Sequence, residues 1–280
     1  MLSLTDVWAR QLIAWEEIPG LFRPFVPADR LLPYLIYSPP DGWGSCKGNA
    51  RLTMLCDKKI SVLENTVDGV QVSEWLLDDL DYVEQGAVHL YSWLRLSGVA
   101  VGRPAVVQVE YNAVAAALFT QVVQAVRQTW GGASREVRGE GQEALESLAA
   151  IDYKFWNYAK ECVLPGERVF TTVYQPELTI PRFLFSRRRL TAAYVCVLTD
   201  RELIFVSDAG SGGSMGRYGV VRRYIPLAKI KEWQLEPATW DKTGVWQLKL
   251  PGECIAIHFS APAQSSLLVL AALLDEIRGG

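Results

Sequence analysis

Residues 195–206 read VCVLTDRELIFV, and this stretch decides the predicted fold. Two runs rich in β-branched and aromatic residues flank a polar break at Asp200-Arg201, which is the pattern of two antiparallel strands joined by a tight turn. Residues 52–63 read LTMLCDKKISVL and have the same layout, with Asp57-Lys58 at the break. Because the two breaks lie 143 positions apart in matching hairpins, the sequence predicts one structural unit that occurs twice.

The matches continue in the same order along the chain. Residues 75–80, 94–98 and 107–112 of the first half correspond to residues 224–230, 248–252 and 255–260 of the second half. The last pair alternates apolar and polar side chains, as a strand with one exposed face does. Each series then ends in a predicted helix, with Asn112 and Ser260 as N-caps. The sequence therefore predicts two mainly β, α+β domains, residues 1–131 and 132–280, divided at Gly131-Gly132.

A further amphipathic helix is predicted ahead of each copy. The first runs from about Leu4 to Ile18, with Trp8, Leu12 and Trp15 at helical spacing. The second has the same periodicity in its apolar residues, which are Leu148, Ile151, Phe155, Tyr158 and Cys162. Both patterns end at a hydrophobic-Pro-Gly sequence, which is typical of a helix stop.

The composition favours a globular cytoplasmic protein. Half of the 280 residues are hydrophobic and the formal net charge is −3, which does not favour nucleic-acid binding. The N-terminus lacks the pattern of a signal peptide, and the five scattered cysteines are expected to be free thiols. With only two histidines and no catalytic or metal-binding motif, the sequence predicts a protein that is not an enzyme and has no cofactor or metal ion.

Four motifs of the second copy resemble the pleckstrin-homology-like superfamily, including its bacterial and GRAM-like branches. They are LPGERV at 164–169, LTDRELI at 198–204, YIPLAKI at 224–230, and Pro251-Gly252 followed by IAIHF at 255–259. The resemblance covers about residues 164–278, whereas the first copy departs from it, with Cys56 in place of Thr199. It implies that each copy is a curved antiparallel β-sandwich or barrel closed by a C-terminal helix. It also implies a binding module, since such domains recognise phosphoinositides, peptides or proteins.

The candidate ligand-binding residues are basic side chains of the second copy, namely Arg182, Arg187, Arg188, Arg189, Arg222 and Arg223. In phosphoinositide-binding members of that superfamily, the connection between the first two strands supplies basic side chains to the head group. Arginine suits phosphate because it donates paired, charge-assisted hydrogen bonds. Residues 167–280 contain 14 basic and 11 acidic residues, whereas residues 1–130 contain 10 and 14. The alternatives are a solvated basic turn or docking onto the acidic first domain.

Four aromatic residues are candidate binding anchors. Phe183 and Phe185 precede the arginines and form either an apolar tip that contacts a membrane or peptide, or the continuation of a strand into the core. Trp43 and Trp240 lie in predicted loops flanked by Gly or Asp. Trp75, Trp93, Trp233 and Trp246 lie on predicted strands, and most of the tryptophans are expected to pack in the core or between the domains.

The first hypothesis for the function is a non-enzymatic interaction protein that recognises an unknown protein or peptide. The second is peripheral attachment to an anionic membrane surface through the arginines of the second copy. An uncharacterised enzyme is the third.

Overall fold

The computed structural model describes residues 8–28, 32–40, 48–100, 102–131, 142–181, 187–209, 219–239 and 242–278. The chain divides into two compact units, Met1–Thr129 (unit 1) and Trp130–Gly280 (unit 2). It is α+β and mainly β, with antiparallel strands. The described strands close no barrel, so the barrel form of the predicted fold is wrong for them.

Unit 1 contains eight described strands and one α-helix. These are β1 (Arg10–Leu12), β2 (Tyr34–Ser38), β3 (Arg51–Cys56), β4 (Lys59–Thr66), β5 (Gly69–Leu76), β6 (Leu80–Val88), β7 (Tyr91–Ala100), β8 (Arg103–Asn112) and α1 (Ala116–Thr129). Strands β1 to β5 pair antiparallel in chain order, and so do β6 to β8. A short 3₁₀ helix, Leu77–Asp79, connects the two series.

Unit 2 contains nine described strands and three α-helices. These are α2 (Gln142–Ile151), α3 (Tyr153–Cys162), β9 (Val169–Gln175), β10 (Leu178–Pro181), β11 (Arg187–Thr191), β12 (Tyr194–Thr199), β13 (Glu202–Asp208), β14 (Gly219–Pro226), β15 (Glu232–Glu236), β16 (Gly244–Lys249), β17 (Cys254–Phe259) and α4 (Ala261–Arg278). Strands β9, β12, β13 and β14 pair antiparallel in that order. The β10–β11 hairpin pairs separately, as do β15, β16 and β17.

The predicted N-terminal helix is wrong in its described part. Residues Arg10–Leu12 form β1, which pairs with β2, and Trp15–Glu17 form a single 3₁₀ turn. Pairing with β2 satisfies backbone groups at a sheet edge, and this tertiary gain overrides a short helical pattern. The apolar residues still reach the core, because Leu12, Ile18 and Phe22 pack against the sheet.

The helix predicted ahead of the second copy is two helices, α2 and α3, separated at Asp152. Asp152 has extended backbone dihedrals, and its carboxylate accepts a hydrogen bond from the Phe155 N–H at 3.1 Å. A side chain that caps a new helix in this way breaks the one before it.

The hairpin at residues 195–206 has continuous apolar runs because both faces of its sheet are covered. All six residues of β12 are buried. On one face, the ring of Phe155 in α3 lies 5.5 Å from that of Tyr174 in β9. On the other face, the ring of Phe205 lies 6.2 Å from that of Trp246 in β16. A strand that is buried on both faces does not show the alternation of apolar and polar residues that is typical of a strand with one exposed face.

One of the predicted correspondences is shifted by two residues. Leu248 lies opposite Ile255, and Leu96 lies opposite Val107. If Val107 corresponds to Ile255, then Leu248 corresponds to Leu96 rather than to Leu94. A shift of two keeps every side chain on its face, which is why the alternating pattern did not reveal it.

Candidate functional site

The basic segment predicted in the connection between the first two strands of the second copy is not only a loop: its Arg187–Thr191 part forms β11, which pairs with β10. Two of its arginines are described with their side chains. Arg188 lies opposite Ile180, and Arg189 lies opposite Thr179. Because neighbouring residues in a strand point to opposite faces, these two guanidinium groups do not converge. Arg189 is bound to Glu177 at 2.8 Å, whereas Arg188 is exposed and has no ion-pair partner among the described residues.

The remaining residues of that prediction fall in two groups. Arg187 contributes its backbone to β11. The residues that lie outside the described part of the chain are Arg182, Phe183, Phe185, Trp43 and Trp240.

Arg222 in β14 contacts helix α3 through an ion pair and a cation–π interaction. Its Nη2 lies 2.9 Å from Oε2 of Glu161, and its guanidinium carbon lies 5.5 Å from the ring centre of Tyr158. Burial lowers the pKa of Arg222, but the nearby Cys162 and Tyr224 outweigh it and raise that pKa. The guanidinium therefore stays charged while it holds α3.

Arg223 follows Arg222 in β14, so its side chain lies on the opposite face of the strand. The described arginines thus sit on two separate elements and on alternate faces. The structure does not bring Arg188, Arg189, Arg222 and Arg223 together as one anion-binding cluster.

Helix α4 has an apolar outer surface that the sequence analysis did not single out. Its inward residues Leu267 and Leu270 are fully buried. On the outside, Leu268 is 46% exposed and Val269 is 56% exposed. Helix residues three and four positions apart share a face, so exposed Ala272 extends the same surface. We call Leu268, Val269 and Ala272 the α4 strip.

The helix in the matching position of unit 1 has a polar outer surface. The exposed residues of α1 include Gln121, Gln124 and Gln128, and its buried residues include Phe119 and Val122. The helices that follow the last strand of each unit, α1 and α4, therefore differ on the side that faces water. The contrast was available in the sequence as glutamines against Leu268 and Val269, but only burial shows which residues of α4 remain outside.

Strand β7 carries a second feature that was missed. Tyr91, Trp93 and Arg95 alternate with buried Ser92 and Leu94, so the aromatic pair lies on the outer face of the strand. The two rings are 5.6 Å apart between centroids, and both side chains remain partly exposed. Of the strand tryptophans, Trp75 and Trp246 are buried in the core, whereas Trp93 lies on the face of β7 opposite to Leu94 and is partly exposed.

Unit 2 has a shallow depression of about 110 Å³ on the β15–β16–β17 strands. It is lined by Glu232, Trp233, Gln234, Gln247, Lys249 and Cys254. Lys249 is bound to Glu232 at 3.0 Å. Pockets that enclose small organic ligands are usually at least about 300 Å³, so this depression suits a few waters or one side chain.

Two further observations concern only the described ranges. None of their helices combines the length and the apolar character needed to cross a bilayer. No group of three or more His, Cys, Asp and Glu side chains in these ranges has a metal-binding arrangement.

Comparison with known proteins gives no match to any family model and none to any curated protein sequence.

Proposed function

We propose that this chain is a non-enzymatic interaction protein made of two pleckstrin-homology-like domains, and that it recognises another protein through the α4 strip. The layout of each unit supports the domain assignment. In unit 1, four strands (β2 to β5) precede three more (β6 to β8) and a helix. In unit 2, the four paired strands β9, β12, β13 and β14 likewise precede β15 to β17 and a helix.

Repeated backbone hydrogen bonds support a duplication. In each unit, the first backbone N–H of the connecting 3₁₀ helix donates to the carbonyl oxygen of the second residue in the hairpin break. The bond from Leu77 to Lys58 is 2.8 Å long, and the bond from Leu227 to Arg201 is 2.9 Å long. A second pair of backbone hydrogen bonds lies at the open end of each hairpin. The Asn65 N–H donates to the Ala50 carbonyl at 2.9 Å, and the Asp208 N–H donates to the Ala193 carbonyl at 3.0 Å. Asn65 and Ala50 lie 143 positions before Asp208 and Ala193, the same offset that separates the two hairpin breaks.

The observation that carries the function is the exposure of Leu268 and Val269. Burying the exposed half of each side chain against a partner contributes about 1 kcal/mol per residue. Apolar side chains that become desolvated at the centre of an interface are typical energetic anchors. The glutamines of α1 offer no such gain, so selective binding belongs to α4.

The partner that fits this surface is a different protein with an apolar contact and a cation beside it. Glu276 lies exposed one turn beyond Ala272, while the neighbouring Asp275 already binds the Trp233 indole N–H at 2.8 Å. A pair of copies joined by this strip alone would rest on two large apolar side chains each. A different protein can add contacts of its own around the strip and so reach the roughly 1,200 Å² that stable interfaces bury, whereas two copies joined only here cannot.

The test compares affinity capture by the tagged full chain with capture by the L268Q/V269Q variant, expressed in the native cell and quantified by mass spectrometry. We expect one protein to be enriched by the wild type and lost with the variant, and to bind the purified wild-type chain directly. A Q121A/Q124A variant of α1 is the matched control and should retain the partner. Equal capture by all three chains would exclude the α4 strip.

Attachment to an anionic membrane surface is the second candidate, and the β10–β11 hairpin favours it. Exposed Arg188 lies directly opposite Ile180, which is 37% exposed, so a cation and an apolar side chain share one face. That combination suits the interface of an anionic bilayer. Co-sedimentation with phosphatidylserine vesicles, abolished in an R187A/R188A/R189A variant and absent with phosphatidylcholine vesicles, would support this candidate over the first.

A further inference from the structure

Trp93 lies across the neighbouring strand β6 because residue 86 is glycine. A Cβ atom at Gly86 would collide with Cζ2, Cε2 and Cη2 of the Trp93 ring. The ring therefore occupies the space that any other residue would fill. The indole thus lies against the backbone of β6, and the Trp93 side chain remains partly exposed. This arrangement makes the indole a flat surface for stacking.

Hydrogen bonds fix the aromatic pair in place. The Trp93 indole N–H donates to Oε1 of Glu84 at 3.1 Å. The Tyr91 hydroxyl donates to Oε1 of Glu110 at 2.8 Å, and Gln108 Nε2 donates to the same oxygen at 3.1 Å. Both bonds to Glu110 use one oxygen, so its Oε2 accepts no hydrogen bond from the described residues.

The charges around the pair favour a cation. Burial, and then the hydrogen bond to Glu110, raises the pKa of Tyr91, whose hydroxyl donates to that carboxylate. Glu84 and Glu110 flank the rings, and Arg95 lies on the same face two residues along β7. Arg51, a further cation near Tyr91, is bound to Glu64 at 3.0 Å, so the carboxylate of Glu110 is the group beside the rings that is open to a cation.

We propose that Tyr91, Trp93 and Glu110 bind an arginine side chain of a protein ligand. A guanidinium group is planar, so it stacks on the exposed part of the indole. In the same position its N–H groups point sideways and reach Oε2 of Glu110, the oxygen without a donor. An anion would meet two carboxylates there. This site lies on unit 1 and does not depend on the α4 strip.

The direct test is an NMR titration of the full chain, following the indole N–H resonance of Trp93 assigned with a W93F variant. The probes are Nα-acetyl-arginine amide and Nα-acetyl-citrulline amide, which have nearly the same shape and differ in charge. We expect arginine to shift this resonance with at least about tenfold higher affinity than citrulline. Equal shifts with both probes, or no shift with either, would overturn the proposal.

Two variants assign the binding to these residues. E110Q keeps an acceptor for Tyr91 but removes the charge, and it should weaken arginine binding by about tenfold. G86A displaces the indole and should also abolish the arginine shift, whereas G20A, which adds a methyl group where no atom lies within 4 Å, should preserve it. An E110Q variant that binds arginine as tightly as the wild type would contradict the proposal even if G86A failed to fold.

Discussion

At the scale of single residues, the prediction from apolar periodicity failed where a side chain bonds to the backbone. The apolar periodicity of residues 148–162 predicts one helix, and the residues it names are indeed helical. What it could not show is that Asp152 turns its carboxylate to the backbone and begins a new helix. The same limit applies to Trp93, because only the contact with Gly86 reveals which way the indole lies.

The two bonds of the Asp152 carboxylate predict the effect of removing it. It caps α3 and accepts a hydrogen bond from the Tyr174 hydroxyl at 3.0 Å. Asp152→Ala should lower the free energy of unfolding by about 1–2 kcal/mol, as the loss of an N-cap does. Urea denaturation measures this, with Glu146→Ala on the exposed side of α2 as the control. Equal effects of the two substitutions would refute the capping role.

Tyr174 predicts a dependence of stability on alkaline pH. Burial, and then its hydrogen bond to Asp152, raises the pKa of Tyr174 to about 12. An acid whose pKa is raised on folding stabilises the protein fully below its unfolded pKa of about 10, and this contribution disappears as the pH rises through 12. The stability advantage of the wild type over Tyr174→Phe should therefore shrink between pH 10 and pH 12. A constant difference across this range would show that the hydroxyl is not coupled to folding.

At the scale of elements, strands were easier to predict than helices. The hairpins at 52–63 and 195–206 are present as β3–β4 and β12–β13, because β-branched runs around a polar break leave few alternatives. The N-terminal segment instead forms strand β1, because it pairs with β2 at the edge of the sheet. This tertiary pairing cannot be predicted from a local sequence pattern. For the candidate arginines 187–189, the sequence indicated a connection between two strands, but the β10–β11 pairing within it is set by the fold, as are the ion pairs of Arg189 with Glu177 and of Arg222 with Glu161.

Helix α4 allows a matched test of its two sides. Leu267 is fully buried, and its neighbour Leu268 is 46% exposed. Leu267→Ala should cost about 2–5 kcal/mol of unfolding free energy, while Leu268→Ala should cost less than about 1 kcal/mol. Chemical denaturation checks both values. A large loss of stability for Leu268→Ala would mean that its side chain belongs to the core rather than to a binding surface.

At the scale of the whole molecule, the two units share a layout and differ in surface chemistry. The repeated order of strands was predictable because matched motifs recur in sequence. The proposed difference in function was not predictable, since it is argued from the exposed sides of α1, α4 and β7, and exposure follows from packing. The first 130 residues are acidic and residues 167–280 are mildly basic, so the units also differ in the ligands that their fields attract.

The central claim is that unit 2 recognises a protein through the outer side of α4. The most direct measurement is photo-crosslinking in the native cell, with a photoreactive amino acid at position 269 of α4 or, in a second chain, at position 124 of α1. We predict a crosslinked product with a different protein from position 269 only, and its loss when Leu268 is replaced by Gln. No product at position 269, the same product at position 124, or a product composed of two copies of this chain would contradict the account.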